Sequence, residues 1–179
     1  MMSSFARSSL LALATALTLS TVTNAHEHIS VGDTICVEGY VMDQFCIDNG
    51  VMIDNGRTTL EEPQLHSVHC LVDVSVCVAT MFEILADPPV EGSGSNMYGR
   101  GFAIDETQDN GAGKEAILDV ARTAGNKSRG CTTCYADGPQ SKAFRAVLTA
   151  TVLEVAADKD SPTLIHLDSV MASNDMTSE

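Results

Sequence analysis

Apolar and polar residues alternate along several stretches of the chain. Over residues 34–42, Ile35, Val37, Gly39 and Val41 alternate with Cys36, Glu38, Tyr40 and Met42, the period-two signature of a strand with one buried face. Similar patterns predict strands over 100–105, 144–155 and 163–170, the last two joined by the turn-forming Asp158-Lys159-Asp160-Ser161-Pro162. Asp48-Asn49-Gly50 and Asp54-Asn55-Gly56 are turn signals around a very short strand at 51–53. Residues 114–124 place Ile117, Leu118 and Ala121 on one side of a helix that Gly125 stops. The segment 64–85 carries two periods at once. His66, His69, Cys70, Asp73 and Cys77 share one helical face, whereas Val68, Val72, Val74, Val76 and Val78 fall on alternate, strand-like positions. The expected compromise is a short helix over 64–72 followed by a strand over 76–85.

Five or six strands with one or two short helices, joined mostly by turns, define an α+β, β-rich fold. The specific expectation is a small, partly open barrel of the OB type, stapled by disulfides. The chain divides into a signal peptide at 1–25, one β-rich domain at 26–170 and a polar, flexible tail at 171–179. Arg7, the apolar run 10–19 and the small residues before His26 have the order of a cleavable secretory leader. That apolar run is too short to span a membrane. Export to an oxidising compartment gives the even count of 6 cysteines its meaning, because a small exported core is commonly reinforced by bridges. No Trp is present, so burial rests on Val, Ile, Leu and Ala.

The 24 acidic residues all follow residue 25, and the whole chain carries a formal net charge of −14. That charge argues against nucleic acid and anionic lipid as partners and fits a solvated secreted protein or one that attracts cations. Asn126-Lys127-Ser128 is a glycosylation sequon at Asn126.

Three groups of residues carry candidate chemistry. His66, His69 and Asp73, with His166 as a further candidate, can gather a transition metal such as copper or zinc. The competing reading is that His66 flanks a turn and His69 packs beside a disulfide. Cleavage after Ala25 leaves His26-Glu27-His28 at the amino terminus, where the amine, two amides and the His28 ring can surround Cu(II), and His26 can chelate by itself. Cys131-Thr132-Thr133-Cys134 is a structural or redox-active disulfide. The remaining Cys36, Cys46, Cys70 and Cys77 are expected in disulfides, with Cys46 joined to Cys70 or Cys77. Asp43, three residues before Cys46, reads as a turn cap.

Gly39-Tyr40-Val41-Met42-Asp43-Gln44-Phe45-Cys46, followed by His66-Ser67-Val68-His69-Cys70 and Cys77, resembles small exported domains of bacteria and algae with a G-[YW]-V-x-D-x-x-C…H-x-x-C…C pattern. The resemblance covers roughly 35–85 and 144–168, and these domains are largely uncharacterised. It implies an OB-like fold more than an activity. This chain departs from the pattern in placing His66 four residues before Cys70 and His69 next to it. Cys131, Cys134 and the region 106–140 lie outside the pattern. The function expected from all this is a secreted, disulfide-stapled module that binds a small ligand or transition metal without catalysis. The alternatives are a thiol–disulfide oxidoreductase using Cys131 and Cys134, or a purely structural extracellular module.

Overall fold

A computed structural model describes residues 29–89, 96–125 and 143–173. The fold is α+β, with a five-stranded mixed sheet that closes in a ring. Strand β1 is Thr34–Asp43, β2 Phe82–Ala86, β3 Gly99–Ile104, β4 Arg145–Glu154 and β5 Thr163–Ala172. The spatial order is β1-β2-β3-β5-β4, with β4 returning to β1. All pairings are antiparallel except β3 with β5. Helix α1 is Gln44–Asn49, α2 Val68–Asp73, α3 Ser75–Val78 and α4 Ala112–Ala124. Among the described residues, no helix is long and apolar enough to cross a membrane.

Strand β1 closes the ring by changing partners. Its residues Thr34 to Tyr40 pair with β4, and Val41 to Asp43 pair with β2. Its alternation is used on both faces. Val37 and Val41 enter the main core with Phe82, Ile84, Phe102, Phe144, Leu148, Val152 and Ile165. Tyr40 and Met42 face a second, smaller cluster that also contains Cys46, Ile47, Cys70, Cys77 and Leu85. Helix α4 sends Ile117, Leu118 and Ala121 into the main core, and α2 adds Val68, Leu71 and Val72 to it. Helix α2 thus spans both clusters, because Cys70 points into the second one.

The expected strands at 34–42, 100–105, 144–155 and 163–170 are present, shifted by a residue or two at their ends. Strand β5 runs to Ala172, two residues into the stretch assigned to the tail. The segment 64–85 keeps the expected order of a short helix and then a strand, but the strand is only β2, Phe82–Ala86, and the bounds differ. Pro63–Leu65 form a 3-10 turn, α2 begins only after Ser67, and residues 75–78 are helical rather than extended. The β-branched valines favour a strand there, but burial of Cys77 in the second cluster overrides that weak preference. Residues 51–53 amount to a single bridge from Val51 to Thr58.

The first three helices lie in the long connection from β1 to β2 and have 6, 6 and 4 residues. Helices this short do not persist alone in water, so their stability comes from caps and tertiary contacts. The connection is tied to the sheet at its ends. The Gln44 amide donates to the Met81 carbonyl (2.9 Å), and the Phe45 amide donates to Thr80 Oγ1 (3.2 Å).

Gly39 sits where β1 changes partner and passes closest to β2. A Cβ there would lie 2.2 Å from the Leu85 carbonyl oxygen and 2.9 Å from an Ile84 methyl carbon. The obstructing oxygen is backbone, so it cannot rotate away. Gly39→Ala should therefore lower stability by roughly 1–3 kcal/mol or more, the usual cost of overpacking. Gly99→Ala, whose new Cβ would meet nothing closer than the Ala86 Cβ at 3.8 Å, serves as the control. Urea unfolding of the two variants checks this, and equal midpoints would contradict the account of ring closure.

Candidate metal centre

The second cluster is built from helix first turns. Asp43 ends β1 in an extended conformation and caps α1, its Oδ1 accepting the Cys46 amide hydrogen at 2.9 Å. Ser67 caps α2 in the same way, its Oγ accepting from the Cys70 amide at 3.0 Å. The Ser67 hydroxyl in turn donates to Asp54 Oδ2 at 2.7 Å, which anchors α2 to the Asp54-Asn55-Gly56 turn. In both places a cap residue is followed three positions later by a cysteine. Cys77 is likewise the third residue of its helix, α3. Each cap fixes the first turn of its helix, and that turn fixes the direction of its sulfur.

These turns converge. Single ligand atoms from Asp43, Cys46, Cys70 and Cys77 all lie within 4.8 Å of one another. The four residues have no solvent exposure. The Cys70 and Cys77 sulfurs are 3.2 Å apart. A tetrahedral zinc site with Zn–S bonds of about 2.3 Å holds its sulfurs ~3.8 Å apart, so this group needs only small adjustments to surround one ion. Three thiolates with one carboxylate form a donor set that zinc accepts readily.

His66 completes the group from behind. It is buried, and its Nε2 lies 2.8 Å from Asp43 Oδ2. Both Asp43 oxygens are therefore engaged, one by the α1 cap and one by an imidazole, while each retains a lone pair. A histidine bonded to a ligating carboxylate orients that ligand, the usual task of a residue just outside a metal's own ligands. The loop below is also tied down: the Thr59 hydroxyl donates to the Cys46 carbonyl at 2.8 Å.

Without a metal, the protons in this cluster are redistributed. Burial disfavours charge on His66, but hydrogen bonding to Asp43 and to Cys46 outweighs it and raises its pKa to about 9. Cys46 is pulled far below the usual thiol range, because the Cys70 and Cys77 thiols and then His66 donate toward its sulfur, against the opposing effect of burial. Cys70 is raised, chiefly by its bonds to Cys46 and Cys77 and then by burial. Cys77 is raised by its bond to Cys46, with Cys70 acting the other way and burial adding to the rise. The directions of these shifts favour a deprotonated Cys46 facing a protonated His66, with protons retained on Cys70 and Cys77.

The residues singled out from sequence fall into separate places. Cys46, Cys70 and Cys77 come together, but with free thiols rather than in the expected Cys46 bridge. The Cys70 and Cys77 sulfurs, at 3.2 Å, are farther apart than the ~2.05 Å of a disulfide bond. Cys36 also has a free thiol and is exposed on β1, apart from the cluster. The expected ligand set of His66, His69 and Asp73 does not assemble as one group among the described residues. His66 precedes the α2 cap, and that puts it off the helical face it was expected to share and onto Asp43. His69 instead pairs along α2 with Asp73, Nδ1 to Oδ2 at 2.9 Å. His166 lies on β5, 3.6 Å from Asp109 and 3.9 Å from Asp168. His26, His28, Asn126, Cys131 and Cys134 lie outside the described residues. Asp43 is a cap, as its sequence position suggested, and also a member of the cluster, which its position did not suggest. The twofold pattern of a cap residue, two intervening residues and a cysteine is the signal that could have found it.

The chain matches no family model, and no curated protein or solved structure is similar to it.

The proton inventory predicts an unusual pH profile for the metal-free, reduced protein. His66 alone would make stability fall as pH rises from 6.5, its unfolded value, to about 9. Cys46 alone would make stability rise with pH up to 9.0, its unfolded value. Between these limits the folded state holds one proton more on His66 and one fewer on Cys46, so the counts cancel and stability is flat. Below 6.5 the unfolded chain binds the extra proton and stability falls on acidification. Above 9.0 the raised Cys70 and Cys77 keep protons that the unfolded chain loses, and stability falls again. Denaturant titrations with reductant and chelator should show this plateau, and His66→Gln should turn it into a rise with pH. A sloping wild-type profile across the interval would contradict the assignment of the proton to His66.

Proposed function

We propose that this chain is an exported, non-catalytic metal-binding protein that holds one zinc ion between Asp43, Cys46, Cys70 and Cys77. The observation that carries this reading is the meeting of four ligand atoms within 4.8 Å of one another, all buried. A catalytic zinc keeps one position open to water or substrate, whereas a structural zinc is closed by four protein ligands. Here the protein supplies four donors and surrounds them, which supports the structural type. Zinc is favoured over copper because Cu(I) prefers sulfur alone and Cu(II) prefers nitrogen and oxygen in a square arrangement. The ion's task is to pin α1, α2 and α3 to the end of β1, replacing the disulfide expected there. The leader-like sequence at 1–25 supports export. The strand order β1-β2-β3-β5-β4, with a helix between β3 and β4, supports an OB-like fold for the carrier.

Protein purified under reducing conditions and loaded with zinc should retain about one ion per chain by elemental analysis, as a single closed site requires. Cys46→Ser, Cys70→Ser and Cys77→Ser should each lose it, while His69→Ala should keep it. Chelation should lower the unfolding midpoint strongly, since structural zinc contributes on the order of 10 kcal/mol of apparent binding free energy. Full retention of zinc in the three serine variants would overturn the reading.

A further inference from the structure

We infer that Cys70 and Cys77 are the pair that closes into a disulfide when the centre loses its metal and meets a small-molecule disulfide, so that the site has two mutually exclusive states. The inference rests on the metal reading for its first state, while the choice of cysteine pair stands on geometry. The two sulfurs are 3.2 Å apart, so a bond of about 2.05 Å needs an approach of only ~1 Å. They belong to consecutive helices, α2 and α3, separated by Val74 alone, so a small hinge movement there brings them together. Cys46 and Cys70 share an amide cap, from Asp43 and Ser67, but Cys46 alone of the three also has its carbonyl held by a side chain, the Thr59 hydroxyl, while Cys77 has no side-chain cap.

Helix α3 is the element able to open. It has 4 residues, no side-chain cap, and Val76 is 43% exposed beside the buried Cys77. A metal bonded to both sulfurs holds α3 in place and occupies the electron pairs that would attack an oxidant. Removing the metal frees both. One of the two thiols passes its proton to the neighbouring Cys46 sulfur and, as thiolate, attacks a sulfur of the reagent RS–SR, forming a mixed disulfide and releasing RS⁻. The other thiolate then attacks the protein sulfur of that mixed disulfide and releases the second RS⁻. Two electrons pass from the cysteine pair to the reagent, and the two protons lost by the cysteines appear on the two RSH products. Asp43 and Cys46 remain, two donors where a closed zinc site needs four, so the bridge also prevents reloading.

Glutathione disulfide, with metal-loaded and chelator-treated wild-type protein, tests this. Free thiols are labelled with one alkylating reagent, the protein is reduced, and newly freed thiols are labelled with a second. Cys70 and Cys77 lie together in the tryptic peptide 58–100, and Cys46 lies in the peptide ending at Arg57, so fragmentation assigns every label. Metal-free protein should carry the second label on Cys70 and Cys77 and the first on Cys46. Metal-loaded protein should react more slowly and release its ion as the bridge forms. Cys46→Ser separates the two claims: it should lose the metal yet still close the bridge. If the wild type binds no metal but bridges Cys70 to Cys77, the metal reading fails and the choice of pair holds. A bridge that includes Cys46, or stable glutathione adducts on Cys70 and Cys77 in place of a bridge, would overturn the inference.

Discussion

Three buried sulfurs and a buried carboxylate have to be satisfied at one point, and much of the β1–β2 connection follows from that requirement. Taking such groups out of water is unfavourable unless they find partners. The helices that carry them are too short to stand alone. α1 and α2 depend on their Asp43 and Ser67 caps, α3 has no side-chain cap, and all three depend on the contacts of the cluster. Asp43 is the hinge of the arrangement. One oxygen starts α1, the other holds His66, and its position at the end of β1 ties both to the closing strand of the ring.

This dependence divides the molecule into two unequal parts. The ring has a large apolar core, in which Phe82, Phe144, Leu148, Ile165 and their neighbours are buried at about 1.5–3 kcal/mol for each large side chain. The second cluster has fewer apolar members, and three of them are cysteines. Hydrophobic burial alone gives it little. A metal in the proposed site would supply what the apolar surface does not, in the way that small domains with limited cores commonly recruit a metal or a disulfide. In the proposed pair of states, a Cys70–Cys77 bridge would take over when the ion is gone; both would hold α2 against α3, and the metal would also hold α1.

Much of the ring was legible from the chain. β4 alternates strictly because one face lies on the core, β5 does so only over its first residues, and β1 alternates in residue type although its second half is buried on both faces. Helix α4 was legible for the same reason at the helical period, with Gly125 as its stop. Cys46, Cys70 and Cys77 could be recognised as a group, but their chemistry was assigned to disulfides, since pairing is the default for cysteines in an exported chain. Asp43 was readable as a cap and not as a ligand, because its partner His66 lies 23 positions away and the fold alone brings them together. His66 and His69 looked alike in sequence. The Ser67 cap separates them, leaving one before the helix and one on it. The valines at 74, 76 and 78 misled for a related reason: local strand preference is weak beside the burial of Cys77.

The central claim is that these four residues form one closed metal site, and X-ray absorption at the zinc edge tests it most directly. Zinc-loaded protein should show three sulfur neighbours at about 2.3 Å and one oxygen at about 2.0–2.2 Å. A shell dominated by imidazole nitrogen, or one in which sulfur is absent, would contradict it.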